Sequence, residues 1–321
     1  MNKLNTILVT GGAGFIGSHL IDKLLDMGKE VICIDNFDPF YGIKLKKTNI
    51  RTHLTNPNYT MYEEDIRNIS QIDEIFKKTK PGIVIHLAAK AGVRPSVEDP
   101  KEYSEVNING SLNILECCVK YEVKKFINGS SSSVYGLNKI VPFNETHPLN
   151  KIASPYAATK LAVEGLCHTF NNIYKLPIIN LRFFTVYGPR QRPDLAIRKF
   201  MHKMLNNEPI SIYGNGETSR DYTYVDDIVN GIINSINYEK SSYEIFNLGN
   251  SSPIELLDLV NSIENSLGIK ANIQFEKAQK GDVPTTYADI SKSINKLHYS
   301  PQTPLKNGLD EMASWMKNNI N

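Results

Sequence analysis

The feature that most constrains the fold is a glycine-rich segment near the N-terminus, Thr10-Gly-Gly-Ala-Gly-Phe-Ile-Gly17. It lies between an apolar, β-branched run at residues 6–10 and a segment of helical periodicity at residues 18–27. Because its glycines lack side chains, the backbone can turn tightly and bring N–H groups close to a phosphate at the start of the helix. The spacing therefore predicts a strand, a phosphate-binding turn and a helix in succession.

A second strand-like run at residues 31–35 ends in a carboxylate, Asp35, roughly 20 residues beyond the glycines. A carboxylate at this position accepts hydrogen bonds from the ribose hydroxyls of an adenine dinucleotide and repels a 2′-phosphate. The two features together predict a bound dinucleotide and favour NAD over NADP. The alternative is an unrelated aspartate after a glycine-rich turn, and the strand, helix and strand around it argue against that.

Short apolar runs alternate with helical segments through the first half of the chain. Further strands are predicted at residues 82–86, 125–128 and 177–182, with helices at residues 105–121 and 156–174. Alternation of this kind predicts an α/β fold, a Rossmann-type doubly wound parallel sheet with helices on both faces.

The composition of the chain changes near residue 183, beyond which prolines and glycines are more frequent. We interpret residues 1–182 as a NAD-binding domain, to which part of about 221–250 returns. Residues 183–321 are predicted to form, in the main, a smaller C-terminal α/β domain that binds the substrate.

Charge and cysteine usage argue against several classes of protein. A net charge of +2 gives no basic stripe for nucleic acid, and the Lys44–Lys47 cluster is interpreted as solvated surface. The 4 cysteines show no CxxC pairing, which argues against a disulfide framework or a zinc site and suits a reducing compartment. No run approaches a membrane span and no cleavable leader is evident, so we expect a soluble, unprocessed, cytoplasmic protein.

Two further groups of polar residues are interpreted as structural. His86 ends an apolar run and is expected to be a hydrogen-bonded core histidine rather than a base. Asp226 and Asp227 resemble metal ligands, but the sequence offers no third ligand, and they are interpreted as the cap and first-turn charge of a helix. No metal is therefore predicted.

Tyr156 and Lys160 stand four residues apart in a predicted helix, which places the phenol and the ammonium on the same face. Tyrosine titrates near ~10, and a neighbouring cation together with the positive nicotinamide ring would stabilise its phenolate, so that it accepts a hydroxyl proton. Such a pair is more often a packing aromatic and a solvated charge. The glycine motif upstream makes the catalytic interpretation the stronger one here.

Several segments resemble one known family. They are TGGAGFIG, the strand end at Asp35, Asp65-Ile66, HLAA at residues 86–89, SSSSVYG, PYAATK and RDYTYVDD. Through most of its length the chain resembles extended short-chain dehydrogenase/reductases that modify nucleotide sugars. In that family the Tyr and Lys of a YxxxK motif act with a Ser or Thr near the VYG motif, which implies catalytic roles for Ser131, Tyr156 and Lys160.

The resemblance also implies the cofactor contacts and a homodimer. Asp65 and Ile66 would flank the adenine, and residues 87–89 would pass the pyrophosphate. The dimer would form through the helices at residues 105–121 and 156–174. The residues implied in NAD binding are Gly11, Gly14, Phe15, Ile16, Gly17, Asp35, Asn36, Asp65, Ile66, Leu87, Ala88, Ala89, Tyr156 and Lys160.

The residues just before Val134 and Tyr135 bear on the reaction. Related 4,6-dehydratases carry an Asp-Glu pair there, and related UDP-glucuronate decarboxylases carry a Glu at the second position, but this chain has Ser132 and Ser133. A 4-epimerase needs neither carboxylate. The resemblance therefore implies NAD-dependent 4-epimerisation, in which Tyr156 takes the C4 hydroxyl proton as C4 gives a hydride to NAD, and the 4-keto sugar turns over before the hydride returns.

The stretch from Arg182 to Asp194 is similar to the FFTVYGP and RPD segments of UDP-glucuronate 4-epimerases, which residues 91–94 also resemble. Many UDP-glucose and UDP-N-acetylglucosamine epimerases have Asn at the place of Thr185, whose hydroxyl can donate to a carboxylate. We therefore predict conversion of UDP-glucuronate to UDP-galacturonate. The predicted substrate contacts are Arg94, Ser132, Ser133, Thr185, Arg192 and, on the diphosphate, Arg220.

Other functions stay open as interpretations of the sequence: a UDP-glucose or UDP-N-acetylglucosamine 4-epimerase, a UDP-glucuronate decarboxylase, and a NAD-binding sensor without catalysis. The intact Ser131, Tyr156 and Lys160 argue against the sensor. One segment departs from the family pattern, because relatives often have an arginine before the GD of a GDVP stretch where this chain has Gln279 and Lys280. Diphosphate contacts from that segment are left open.

Overall fold

The structure, a computed structural model, describes residues 5–277 and 283–319. Within these residues the strands are β1 (Thr6–Thr10), β2 (Glu30–Ile34), β3 (Tyr59–Tyr62), β4 (Ile83–His86), β5 (Lys125–Ser131), β6 (Ile178–Phe183), β7 (Thr185–Tyr187), β8 (Ile210–Tyr213), β9 (Ser219–Tyr224), β10 (Tyr243–Leu248), β11 (Pro253–Glu255) and β12 (Ile273–Glu276).

The helices in the same part of the chain are α1 (Phe15–Asp26), α2 (Ile43–Asn49), α3 (Ile69–Thr79), α4 (Val93–Glu98), α5 (Pro100–Ser104), α6 (Ser111–Lys120), α7 (Pro155–Tyr174), α8 (Ala196–Leu205), α9 (Val225–Ile236), α10 (Leu256–Leu267), α11 (Ser291–Leu297) and α12 (Leu305–Asn319). Short 3₁₀ turns occupy Pro39–Tyr41, His53–Thr55 and Ser132–Tyr135, and a π-helical turn occupies Glu105–Gly110. None of these described helices is long and apolar enough to cross a membrane.

A parallel sheet forms the centre of the described structure. Its strand order is β10-β6-β5-β4-β1-β2-β3, and every neighbouring pair is parallel. In the register, Thr10 pairs with Ile34 on one side and with His86 on the other, so the carboxyl ends of these strands meet at one edge. The predicted Rossmann-type α/β fold is confirmed.

The sheet is apolar because it is covered on both faces, as parallel sheets usually are. Side chains alternate along β1: Ile7 and Val9 face one core cluster, with Leu20 and Leu24 of α1, whereas Leu8 faces another, with Phe76 of α3. Such strands appear in the sequence as continuous apolar runs bounded by polar residues.

The chain leaves this sheet after β6 and later returns to it. Strand β10 pairs in parallel with β6, and α9 packs against α1. The intervening and following segments form smaller sheets, β11-β9-β7 and β12-β8, together with α8, α10 and α12. The division of the chain into domains at residue 183 stays a prediction.

The predicted helix at residues 105–121 differs from the observed structure. The helical path begins earlier, at Pro100, because the Asp99 side chain accepts a hydrogen bond from the Glu102 N–H at 3.0 Å and caps α5. It then runs through the π-helical turn Glu105–Gly110 before α6.

Candidate active site

A cavity of about 500 Å³ opens where the carboxyl ends of the parallel strands meet the loops that follow them. In a doubly wound sheet the ligand crevice lies where the strand order reverses, which here is between β1 and β4. The predicted site residues that line this cavity are Gly11, Gly14, Phe15, Ile16, Gly17, Asp35, Asn36, Asp65, Ile66, Leu87, Ala88, Ala89, Ser131, Ser132, Ser133, Tyr156, Lys160, Thr185, Arg192 and Arg220.

The turn between β1 and α1 has no room for side chains. At Gly11, whose φ is +71°, a Cβ atom would lie 2.7 Å from the backbone nitrogen of Ala88. At Gly17 a Cβ atom would lie 2.3 Å from the carbonyl oxygen of Gly11. Helix α1 begins at Phe15 without a side-chain cap, which leaves its first N–H groups to another acceptor. The turn therefore fits the pyrophosphate of NAD.

Asp35 lies buried just after β2 and has three polar neighbours. Its carboxylate accepts hydrogen bonds from the N–H groups of Phe37 at 2.9 Å and Ala13 at 3.1 Å, and Lys46 Nζ lies 3.1 Å from its Oδ1. Lys46 is only 7% exposed and lines the cavity, so the interpretation of Lys44–Lys47 as solvated surface is wrong for this residue. A buried ammonium therefore stands beside the carboxylate at the predicted ribose position.

The predicted adenine position is bordered by a polar and an apolar residue. Asn36 Nδ2 donates to Asp65 Oδ2 at 2.9 Å, and Arg67 donates to the same carboxylate at 2.9 and 2.8 Å. These bonds from Arg67 hold the pKa of Asp65 at about 2, so the carboxylate is ionised at neutral pH. Ile66 is buried and packs closely against Gly110. A Cβ atom added to Gly110 would lie 2.6 Å from Ile66 Cδ1.

Strand β5 and helix α7 bring the predicted catalytic residues together. Ser131 is the last residue of β5. Ser154 caps α7 by accepting a hydrogen bond from the Ala157 N–H at 3.2 Å, which places Tyr156 in the first turn and Lys160 one turn later.

Lys160 is buried at the base of the cavity. Its Nζ donates to the carbonyl oxygen of Gly129 at 2.7 Å. Burial lowers the pKa of Lys160 to about 8, and the charge of Glu164 opposes this effect.

Tyr156 is partly buried in the cavity wall. Burial raises the pKa of its phenol, whereas the Ser131 hydroxyl and the positive charge of Arg192 act to lower it. The ring of Tyr103 meets that of Tyr156 edge-on, with centroids 6.3 Å apart. Arg192, a residue predicted only as a substrate contact, therefore also contributes positive charge near the phenol.

Hydroxyls and guanidiniums border the predicted sugar position. Ser131 Oγ and Ser133 Oγ are 2.9 Å apart. Arg192 donates to both carboxylate oxygens of Asp194 at 3.0 and 2.6 Å, and Arg220 Nη1 donates to the carbonyl oxygen of Ser219 at 2.8 Å. These bonds hold both arginines in the cavity wall.

Arg94 is the predicted site residue that does not line the cavity. It lies in α4, and its guanidinium sits over the ring of Tyr213, 5.2 Å from the centroid. A substrate contact from Arg94 is therefore not supported by its position. The stretch Gln279–Asp282 lies outside the described residues.

The cavity wall includes residues that the sequence analysis did not single out. Phe40 lies between two cations, with Lys90 Nζ at 5.8 Å and the Arg192 guanidinium at 5.6 Å from its ring centroid. Lys90 Nζ also lies 3.0 Å from Asp38 Oδ2. Asp38 and Phe40 follow Asp35 by a few positions in the chain. This short separation in sequence is the signal from which their place in the cavity wall could have been predicted.

His86 is buried and hydrogen-bonded, as predicted. Its Nδ1 lies 2.7 Å from Thr10 Oγ1 and its Nε2 lies 2.8 Å from Ser111 Oγ. Asp226 and Asp227 lie in the first turn of α9 and do not cap it. Among the described residues there is no group of three or more histidine, cysteine or acidic side chains arranged to hold a metal.

Comparisons with known proteins agree with this arrangement. The chain matches the family model described as GDP-mannose 4,6 dehydratase over residues 8–312. It is 40% identical over 314 residues to the UDP-glucuronate 4-epimerase of Thermodesulfobacterium geofontis, which covers 98% of this chain and 96% of that protein.

Solved structures show the same similarity over nearly the whole length. The UDP-glucuronic acid 4-epimerase from Bacillus cereus, in complex with UDP-glucuronic acid and NAD, superposes with a TM-score of 0.92 at 38% identity, covering 98% of this chain and 99% of that one. The UDP-glucose 4-epimerase from Thermotoga maritima with UDP-glucose gives a TM-score of 0.89 at 36% identity, covering 98% and 100%. The chain therefore belongs to the extended short-chain dehydrogenase/reductase family of NAD-dependent nucleotide-sugar epimerases.

Proposed function

We propose that the protein is an NAD-dependent 4-epimerase that converts UDP-glucuronate to UDP-galacturonate. The observation that carries this proposal is the set of hydroxyls Ser132, Ser133 and Thr185 in the same cavity as Tyr156 and Lys160. The family model takes its name from a dehydratase, but Ser132 and Ser133 stand where the dehydratases have an Asp-Glu pair, so elimination of water is not proposed.

Tyr156 is proposed to act as the base. Its phenolate accepts the proton of the sugar C4 hydroxyl, and the Ser131 hydroxyl beside it stabilises the charged form. Lys160, fixed on the Gly129 carbonyl oxygen, supplies a positive charge one helical turn away. When bound, NAD would supply the chemistry of hydride acceptance from C4 and hydride return, and the turn at Gly11 and Gly17 would hold its pyrophosphate.

The three hydroxyls are proposed to hold the C5 carboxylate. A 4-keto uronate is a β-keto acid that loses carbon dioxide readily. Hydroxyl donors that fix the carboxylate away from the orientation needed for C–C cleavage suppress this loss. Arg192 borders the same region and contributes positive charge to the sugar or the diphosphate.

A neutral-hexose 4-epimerase is the second candidate. The similarity to the Thermotoga maritima UDP-glucose 4-epimerase favours it, since the fold and identity are close to those of the uronate enzyme. Thr185 separates the two candidates, because its hydroxyl donates to a carboxylate where many hexose enzymes have Asn.

We further propose that the protein is a cytoplasmic homodimer. The face available for the dimer is formed by α6 and α7, and Leu112 and Leu166 are partly buried apolar residues on these helices. Four buried, unpaired cysteines suit a reducing compartment.

The test is to incubate the purified protein with UDP-glucuronate and, separately, with UDP-glucose, and to follow the sugars by proton NMR without added NAD. We expect UDP-glucuronate to equilibrate with UDP-galacturonate. Tyr156→Phe serves as the inactive control, with an expected rate loss of about 10²- to 10⁴-fold. Conversion of UDP-glucose alone would support the hexose epimerase, and formation of a pentose would indicate a decarboxylase.

Thr185→Val tests the carboxylate contact directly. This change removes the hydroxyl and keeps the side-chain volume nearly constant, so we expect decarboxylated by-product to rise or uronate turnover to be lost. Kinetics and products identical to those of the wild type would contradict a role for Thr185.

A further inference from the structure

A buried ion pair lies behind the catalytic residues. Glu164 is on α7, one turn beyond Lys160, and Arg182 is on β6; their side chains are 4% and 2% exposed. Arg182 Nε donates to Glu164 Oε1 at 3.0 Å and Nη2 donates to Oε2 at 2.8 Å. Ser130 Oγ donates to the same Oε1 at 2.6 Å, so the carboxylate is held at both oxygens.

The pair joins α7, which bears Tyr156 and Lys160, to β5 and to the turn that follows it. Ser130 precedes Ser131 in β5, and Arg182 lies on the strand that leads to Thr185. Arg182 Nη1 donates to the Tyr135 hydroxyl at 3.0 Å, at the end of the turn that contains Ser132 and Ser133.

Tyr135 extends the network to the edge of the sheet. Its hydroxyl donates to Asn247 Oδ1 on β10 at 2.7 Å, and the Arg182 guanidinium lies over its ring, 5.0 Å from the centroid. On the same ring, Phe143 stacks at 4.7 Å between centroids. The buried guanidinium is therefore fixed in place on several sides.

The charges around Lys160 give Glu164 a second role. His86 and Cys167 are close enough to Lys160 to interact electrostatically, but burial lowers the pKa of His86 to about 3 and raises the pKa of the Cys167 thiol, so both are uncharged at neutral pH. Arg182 is positive. Glu164 supplies the negative charge that opposes loss of the Lys160 proton.

We infer that Glu164, held in place by Arg182, is a positioning residue that keeps Lys160 protonated and so sets the upper pH limit at which Tyr156 works. The bidentate geometry and the one-turn spacing of Glu164 from Lys160 support this inference, which rests on the proposed epimerase activity. If the Glu164 charge is removed, two buried cations remain, and the lysine loses its proton more readily than the arginine.

The test compares Glu164→Gln, which keeps the shape and removes the charge, with Glu164→Asp, which keeps the charge. Epimerisation rates are measured from pH 6 to 10, and Lys160 is titrated by NMR in protein labelled with ¹³C at the lysine ε-carbon, with Lys160→Met for assignment. For Glu164→Gln we expect the Lys160 midpoint and the alkaline limit of the rate to fall by about one pH unit or more. For Glu164→Asp we expect both to stay near those of the wild type.

Two further variants make the result decisive. The exposed Glu74 of α3 provides the matched control, Glu74→Gln, which should change neither measurement. The double variant, Glu164→Gln with Arg182→Met, removes both members of the pair, so no unpaired buried arginine is left to destabilise the fold. The pH midpoint of Lys160 in this variant should still lie below that of the wild type.

A folded Glu164→Gln or double variant whose Lys160 midpoint is unchanged, and whose rate is reduced equally at every pH, would overturn the inference and leave Glu164 a structural role. The NMR titration does not depend on turnover. A wild type inert toward both sugars would therefore contradict the proposed function, while the lysine midpoints would still decide the role of Glu164.

Discussion

Gly17 shows how closely one backbone position controls the cavity. An added Cβ would lie 2.3 Å from the carbonyl oxygen of Gly11 and 2.8 Å from the Cα of Gly12, and neither backbone atom can rotate away. For Gly17→Ala we expect NAD affinity to fall at least about tenfold and the free energy of unfolding to fall by about 1 to 3 kcal/mol. Calorimetric titration with NAD and urea unfolding measure the two effects.

Gly28→Ala is the matched control for this prediction. Gly28 differs from Gly17 in having a positive φ, +71°, and a Cβ there would meet nothing within 4 Å. This substitution should lower stability by about 1 to 2 kcal/mol through backbone strain and leave NAD affinity unchanged. Equal NAD affinity in the two variants would contradict a contact between the glycine turn and the cofactor.

At the residue scale, motifs with fixed spacing were predictable and tertiary contacts were not. The glycine turn, Tyr156 and Lys160 line one cavity, and their local geometry is encoded within a few residues. Lys46 lies in a run of exposed lysines, and only its approach to Asp35 makes it buried. Nothing in the sequence near Arg94 predicts that its guanidinium turns toward Tyr213.

At the scale of elements, helix α1 is tied to the segment after β7. Arg190 Nη1 donates to Asp22 Oδ2 at 2.6 Å, and His53 Nε2 lies 2.5 Å from Asp22 Oδ1. Burial alone would raise the pKa of Asp22, but His53 and Arg190 together hold it below its ordinary value. The link fixes the backbone two residues before Arg192.

We expect Asp22→Asn to raise the KM for the UDP-sugar by about 3- to 30-fold, which corresponds to about 0.7 to 2 kcal/mol, the range of one hydrogen bond. The value of kcat should change much less, because no catalytic group is touched. Steady-state kinetics on the sugar identified by NMR measure both. Asp26→Asn, an exposed change one turn later on the same helix, should behave as the wild type, and an equal KM in the two variants would contradict the link.

Element types were more predictable than element boundaries. The helix predicted at residues 105–121 contains a π-helical turn at Glu105–Gly110, which periodicity near 3.6 residues cannot indicate. The turn places the Asn107 side chain against the backbone of Lys90 at 2.7 and 3.0 Å and against Thr159 Oγ1 at 3.0 Å. These partners are distant in sequence, so the local pattern carries no sign of them.

At the scale of the whole molecule, two histidines with lowered pKa values, His86 and His19, make stability depend on pH. Burial lowers the pKa of His86 to about 3 and that of His19 to about 4. Both are neutral in the folded and unfolded states above about pH 6.5, so they have no effect there. Below that pH the unfolded chain binds protons that the folded chain does not, and stability is lost as the pH falls toward the folded-state values.

Between pH 7.5 and 5.5 we expect the free energy of unfolding to fall by about 1.4 kcal/mol for each of these histidines. Urea unfolding at the two pH values measures the change. His19→Gln should remove its share, because glutamine can still donate to the Phe15 carbonyl oxygen that His19 Nδ1 contacts. A pH dependence in His19→Gln that equals that of the wild type would count against the explanation.

The parallel fold was predictable because β1, β2, β4, β5 and β6 contain short apolar runs separated by helical segments. Strands β3 and β10 were not predicted, since polar residues interrupt them. The smaller sheets were not predictable either. Strand β12 pairs with β8 and strand β9 pairs with β7 and β11, so these pairs join short segments that are far apart in the chain. Their stability depends on packing partners rather than on a local repeat.

The return of β10 to the side of β6 has a consequence for synthesis. Ile178, Ile179 and Leu181 of β6 are buried in the finished molecule, yet the strand that pairs with them ends at Leu248. While the chain emerges from the ribosome, β6 is an open edge with unpaired N–H groups and apolar side chains, the kind of surface on which nascent chains associate. Translation must proceed past β7, β8 and β9 and through β10 before this edge closes, and during that interval the growing chain exposes a surface to which chaperones bind.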